Sequence, residues 1–473
     1  MNFTSPSIPR VFLPLCLLLM FTTAVVSPLS GHNWQRIAQM VIGFLSLAVL
    51  LWAAKQRFPL AFIEASSRFV CLLILVLGLT STFLAHQPLW AFTELSLLIT
   101  SCCIALAFAS ERKFRARTFD QLFICFVIIL CAIKCVQFFS SIAAAFVSAP
   151  SALDTDLLLD GFSNRRFYGQ FQTFTLPLLA FPALLPSAKR STKVWIAVLL
   201  SIWWMIAITG GTRGTWLGMG VAALALLLTG YAGRRWLVLQ FSTACAGLVL
   251  FWFFLSLLPG YLGIEVVNFA GDRLNTSLSA REIIWSLAWE MIKQRPLLGF
   301  GPMHFADIQN SVGAHPHQAI LQWASEWGVP STLCVGFLVL RGLVATFISL
   351  RKSASSVESV DVIRLCLFAS LVGALTQSMV DGVIVMPYSQ LWLAIIVGWL
   401  LALHKWDVRP SPMGAEAYKA WMSISVLAVA LLMYIAIRDL PHMSERSQHY
   451  AEEFGSYFHP RFWTQGIIAL KAQ

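Results

Sequence analysis

About thirteen apolar stretches follow one another along this chain, each close to the roughly 20 residues that a helix needs to cross a hydrocarbon core. They fall at 11–29, 37–54, 66–85, 90–109, 120–146, 168–186, 194–209, 214–230, 236–258, 329–349, 362–380, 385–403 and 419–436. In lipid a backbone must satisfy its own N–H and C=O groups, so such stretches are expected as helices. The expected fold class is all-α: a polytopic membrane protein with about 13 transmembrane helices and one large extramembrane loop that itself contains helices. Only 12% of the residues are charged. Soluble domains carry roughly 25%. The first stretch, after Arg10, resembles a secretory signal in outline, but it is long enough to span and further spans follow, so it reads as an uncleaved first helix.

The net charge of +11 would suit a nucleic-acid partner if the basic residues were clustered. They sit instead in short loops between apolar runs, the pattern of topology determinants, and no nucleic-acid partner is expected. With the N-terminus inside, eighteen basic residues face the cytoplasm, whereas the opposite short loops carry four, Arg36, Arg165, Arg166 and Arg213. The asymmetry divides the chain into helices 1–9 (1–258), an outer loop (259–328), helices 10–13 (329–436) and an outer tail (437–473). In a bacterial inner membrane the outer side is the periplasm, which offers no ATP or nucleotide sugar; chemistry there needs a donor that is already activated. All ten cysteines lie in or beside apolar segments, so neither a disulfide framework nor a zinc site is expected.

Within the outer loop, Ala280–Arg295 reads as an amphipathic helix with Ile284, Leu287, Ala288 and Met291 on one face and Pro296 at its end. Leu298–Pro302 reads as a tight turn, and a helix that enters the membrane is expected to begin at Gln318. His317 lies at that loop-to-helix junction, two residues after His315. An imidazole titrates near neutrality and can take a proton from an acceptor hydroxyl. For His315 an ordering role is expected, and His304 is weaker still. Arg213 and Arg281 are suited to gripping phosphate oxygens. Gly210, Gly211 and Gly214 around Arg213 would let a large head group approach the backbone. The alternative for such arginines is an interfacial anchor that snorkels to lipid phosphate. Arg165, Arg166 and Gln170, in the segment that opens the sixth span, are accessory candidates for a phosphate or sugar site. Glu94, Lys134, Gln377 and Asp381 are costly in lipid and suggest a polar cavity, with Glu94 and Asp381 lining it and Lys134 as an ion-pair partner.

His317-Gln318, nine residues, Gly328, two residues and Ser331 is similar to the signature of the O-antigen ligase superfamily. That signature has His, then Asn, Ser or Gln, nine residues, Gly, two residues and usually Gly, Thr or Tyr; Ser331 departs from the last position. The superfamily includes lipopolysaccharide O-antigen ligases, O-antigen polymerases and pilin O-oligosaccharyltransferases. The resemblance implies that Arg213 and Arg281 hold a donor diphosphate and that His317 activates the acceptor. Gln318, His315, Arg165, Arg166 and Gln170 would be accessory. It further implies a glycan donor on undecaprenyl diphosphate and a single inverting displacement, with no metal and no cofactor. A type IV pilin serine or threonine is the expected acceptor. The alternatives are ligation to lipid A–core and polymerisation. Segments 162–173 and 458–466 look more like the pilin enzymes; the outer tail, with Phe454, Tyr457, Phe458, Phe462 and Trp463, is expected to dock on the protein or the interface and could contact a protein partner. From another class, a transporter of lipid-linked sugars would be expected to show paired half-repeats and interrupted helices at midplane; no repeat is seen.

Overall fold

The computed structural model describes residues 11–26, 31–55, 62–147, 152–273, 280–308, 310, 312–404, 413–454, 459–466 and 468. In chain order the helices are α1 (Phe12–Val25), α2 (Gly31–Lys55), α3 (Ala65–Phe83), α4 (Pro88–Val147), α5 (Arg165–Leu179), α6 (Phe181–Leu184), α7 (Arg190–Gly210), α8 (Arg213–Leu227), α9 (Tyr231–Trp252) and α10 (Leu258–Leu262). They continue with α11 (Arg281–Gln294), α12 (Ala319–Trp327), α13 (Val329–Lys352), α14 (Ser359–Gln377), α15 (Pro387–Leu403), α16 (Ala415–Asp439) and α17 (Met443–Phe454). One short parallel pair, β1 (Ala152–Asp154) with β2 (Glu265–Val267), is the sheet among the described residues.

Each expected span coincides with a helix, and the protein is an all-α polytopic membrane protein. Among the described residues eight helical stretches are long and apolar enough to cross a membrane. One of these, α4, is 60 residues long and holds two expected spans, divided at Ala116, whose φ of 38° and ψ of −108° are not helical. Three shorter apolar helices, α1, α8 and α15, supply further expected spans. The sixth, α5, is buried along nearly its whole length. Its Gln170, Gln172, Thr173 and Thr175 therefore meet protein rather than lipid, as polar groups at membrane depth require.

Hydrogen bonds between connections separate the two ends of the bundle. At the end rich in basic residues, Ala232 donates to the Ala354 carbonyl at 3.2 Å, Arg351 to Leu228 at 2.8 Å and Arg235 to Leu184 at 3.0 Å. At the other end lie the turn into α8, the 263–328 loop, the α14–α15 connection and the chain after α16. There Ala319 N–H bonds the Ser378 carbonyl at 2.9 Å, and Gln87 binds Ile468 at 2.5 Å. Lys134 is not an ion-pair partner in contact with a carboxylate; its ammonium donates to the carbonyls of Ala24 and Asp160 and to Gln137 Oε1, at 2.7–2.9 Å, and so closes the end of α1. The helix capped by Gln318 is short, nine residues, and is not continuous with the span that follows. It stops at Trp327, because Gly328 turns the chain at φ +83°, and α13 starts afresh at Val329.

The tail is docked on the bundle. Phe462 and Trp463 are buried, in a cluster with Met40, Leu97, Met303, Ala306, Ala314, Leu432 and Ile435. Arg36 reaches the carbonyls of Arg461 and Phe462 at 3.0 Å each. Arg461, fully buried, pairs with Glu326 of α12 at 2.7 Å and lies 3.6 Å from Glu94. The expected docking of the tail aromatics on the protein holds for Phe462 and Trp463, whose rings are core residues and so do not offer themselves to a protein partner. Tyr457 and Phe458 lie outside the described residues, as does the side chain of Phe454.

Removing one member of a buried ion pair leaves the other charge without compensation. Arg461→Met is expected to cost about 3–5 kcal/mol, read as a lowered melting temperature in detergent, and a second change, Glu326→Gln, should recover part of the loss.

Candidate functional site

Four connections at the end away from the basic loops build the site. The first is the His315–Gln318 turn. Trp285 of α11 donates its indole N–H to the Pro316 carbonyl at 2.9 Å, and the His317 N–H points to His315 Nδ1 at 3.3 Å. Gln318 caps α12, its side-chain oxygen accepting from Leu321 N–H. Held on both sides, His317 adopts φ +53°, a left-handed conformation that an L-residue keeps only where its surroundings over-determine it. The rings of His315 and His317 meet edge to face, with centroids 4.1 Å apart.

The second connection, between α14 and α15, carries Asp381. It is buried, accepts the Gly382 N–H at 2.8 Å, and lies 3.8 Å from His317 Nδ1. Burial pushes its pKa up, while the Gln170 amide, the Gly382 N–H and the guanidinium groups of Arg166 and Arg281 pull it back. Asp381 is thus the carboxylate nearest the imidazole, at a separation beyond a direct hydrogen bond. His317 Nδ1 is itself buried with no hydrogen-bond partner among the described residues. Sequence reasoning placed Asp381 only on a cavity wall; its signal was an acidic residue at the outer end of a span.

The third contribution is cationic. Arg281 opens α11, Arg213 opens α8, and Arg166 stands in the first turn of α5. Burial first, and then the charges of Arg166 and Arg213, lower the Arg281 pKa, against the pull of Asp381. Arg281 Nε is buried and has no hydrogen-bond partner among the described residues. His317 in turn feels Arg166 and Arg281. The structure therefore brings Arg213, Arg281, Arg166 and His317 into one electrostatic neighbourhood. Arg165, one residue away, points elsewhere: it pairs with Asp156 and reaches the Asn268 carbonyl, tying the α5 start to the β1–β2 corner. Gln170 accepts from Ser389 at 2.6 Å and lies beside Asp381. Of the glycines near Arg213, Gly214 faces protein rather than an open approach for a head group. A Cβ on Gly214 would meet Gln377 at 3.0 Å, so this glycine lets α8 pack closely on α14, whereas one on Gly210 would meet Leu159 only at 3.5 Å.

The fourth contribution comes from the tail. A cavity of about 120 Å³ opens at the junction, lined by Asn164, Arg166, Phe167, residues 312–315, His317, His459 and Pro460. Neither His459 nor Pro460 was singled out from the sequence, because their neighbourhood is made by contacts some 140 residues apart in the chain. Desolvation, with Arg166, Arg281 and His459 nearby, depresses His317 to about 3. His315 is lowered well below its ordinary value, again chiefly by burial. Both imidazoles are neutral at pH 7, so each keeps a nitrogen lone pair, while the arginines supply positive charge for an anion.

Fold and site together define a multi-pass membrane protein with a polar, cation-flanked imidazole pocket at one end of its helical bundle. A family model described as O-antigen ligase matches residues 195–336, which contain Arg213, Arg281 and His317. The match supports the O-antigen ligase superfamily that the His317 signature resembles, and with it a membrane enzyme of that general kind. Comparison with curated proteins gave no match.

His317 has a folded pKa below its ordinary 6.5, so its contribution to stability is complete above that value and is lost as pH falls toward 3. Between pH 7.5 and 5 the wild type should lose about 2 kcal/mol more stability than His317→Gln, measured as the difference in denaturation midpoint at each pH.

Proposed function

We propose that this protein transfers a glycan from undecaprenyl diphosphate to an acceptor hydroxyl on the periplasmic face of a bacterial inner membrane. The observation that carries the reading is the meeting of a neutral imidazole with three guanidinium groups at the end of the bundle opposite the basic loops. His317 takes the proton of the attacking hydroxyl. Arg281 and Arg213, with Arg166 beside them, hold the diphosphate and stabilise the charge that develops on it as the glycosidic bond breaks. Asp381 steadies the imidazolium that forms. The 259–328 loop supplies Arg281 and His317, and the membrane helices on either side supply the rest.

The acceptor read from the sequence is a pilin serine or threonine. Burial of Phe462 and Trp463 removes one of its supports and leaves the 162–173 and 458–466 segments as the others. Ligation of O-antigen to lipid A–core is the second reading, favoured by the description of the matching family. Both use the same base and the same arginines.

The test uses purified protein with lipid-linked glycan and, separately, pilin or core lipid. His317→Ala is expected to abolish transfer, and Arg281→Ala to lower turnover by roughly 10²–10³-fold. Glycosylated core beside untouched pilin would discard the pilin reading. Undiminished transfer by His317→Ala would favour a transporter of lipid-linked sugars or a structural histidine.

A further inference from the structure

The tail turn is built with more care than a chain end requires. Arg461 is fully buried and paired with Glu326 at 2.7 Å, its own N–H bonds the Trp463 carbonyl at 3.0 Å, and its carbonyl accepts from Arg36 at 3.0 Å. Thr464 binds Asn33 Oδ1 through both its N–H and its hydroxyl, at 2.9 Å each, and the Trp463 indole donates to Asp439 at 2.9 Å. The turn then closes on itself. Gly466 has φ +63°, and a Cβ there would fall 1.6 Å from the His459 carbonyl oxygen, so no side chain fits. These contacts leave His459 and Pro460 as a fixed wall of the pocket, with the His459 ring bonded to the carbonyl of Val312, another lining residue.

This wall differs chemically from the one it faces. Of the lining residues only Arg166 is permanently charged, and it stands on the side of Arg281 and Arg213. A diphosphate belongs with the guanidinium groups. The tail wall offers an imidazole and a proline ring, which suit a neutral, hydroxyl-bearing group. His317 lines the same cavity and feels charges from both sides, Arg166 and Arg281 on one and His459 on the other. In an inverting displacement the hydroxyl attacks opposite the departing diphosphate, so the acceptor enters from the side away from the guanidinium groups.

We propose that the His459–Gly466 turn is the acceptor-facing wall of the pocket, with His459 a specificity-determining contact and Arg461 the positioning residue that sets it. The proposal rests on the glycan-transfer reading and adds to it the side from which the hydroxyl arrives.

The experiment uses the full chain in nanodiscs, with donor and acceptor varied separately for whichever acceptor the wild type glycosylates. His459→Ala should raise the acceptor KM roughly five- to tenfold, the worth of one lost hydrogen bond, with the donor KM within about twofold. Arg461→Met should raise the same acceptor KM, and Arg461→Lys, which keeps the charge opposite Glu326, should recover part of it. If His459→Ala does not fold, His459→Gln serves in its place and should shift the same constant less. An unchanged acceptor KM, or a donor KM that rises as much, overturns the proposal while leaving glycan transfer standing. A wild type that transfers to neither acceptor overturns both.

Discussion

The buried pair between Glu326 and Arg461 is the interaction on which the site end of the molecule depends. Two charges taken out of water lose several kcal/mol of hydration each, and their attraction repays this only when the remaining hydrogen-bonding capacity is also used. Here it is. Glu326 Oε1 accepts the Phe305 N–H at 3.0 Å, Oε2 takes the guanidinium, and Glu94 stands 3.6 Å away as a second carboxylate. Burial raises the Glu326 pKa and Arg461 pulls it back. One contact thus joins α12, the His304–Asp307 turn and the tail. Because α12 begins two residues after His317, whatever fixes α12 also fixes the imidazole.

That fixing matters because the imidazole sits on a strained loop. A left-handed histidine relaxes if the chain on either side loosens. The Trp285 bond to Pro316 holds the turn from α11, and the Ala319 bond to Ser378 holds it from α14. The same two helices, α11 and α14, lead to Arg281 and to the Asp381 connection. The elements that carry the charges are also those that hold the base, so no separate scaffold is needed to keep them in register.

Much of this was legible along the chain, for physical reasons. Spans are readable because lipid imposes length and polarity on every one, and the break within α4 fell where Arg112, Lys113, Arg115 and Arg117 interrupt the apolar run. The α11 helix was readable from its periodicity: Ile284, Ala288 and Met291 are buried as expected, Leu287 is half-buried, and Ile292 is buried as well. Contacts between distant segments were not. Arg165 and Arg166 are indistinguishable as a dipeptide, yet successive helical positions point about 100° apart, and only Arg166 lines the pocket. The tail's aromatics were legible as docking groups but not where they dock, and the capping bond of Gln318 exists only once α12 has formed.

The electrostatics of the empty pocket also bear on the order of events in the proposed reaction. An imidazole at about 3 is a poor proton acceptor at neutral pH; burial is the main cause, and the guanidinium groups of Arg166 and Arg281 add to it. A diphosphate seated on those groups brings negative charge into the same low-dielectric region, where charges act strongly over several ångströms. Its field opposes theirs at the imidazole, so donor binding raises the proton affinity of His317. In the proposed reaction the cations that grip the donor would thus also be part of what lowers the imidazole's proton affinity before the donor binds. Coupling the base to the donor through shared arginines ties proton removal to an occupied site, and it follows from placing imidazole and guanidinium groups within reach of one another.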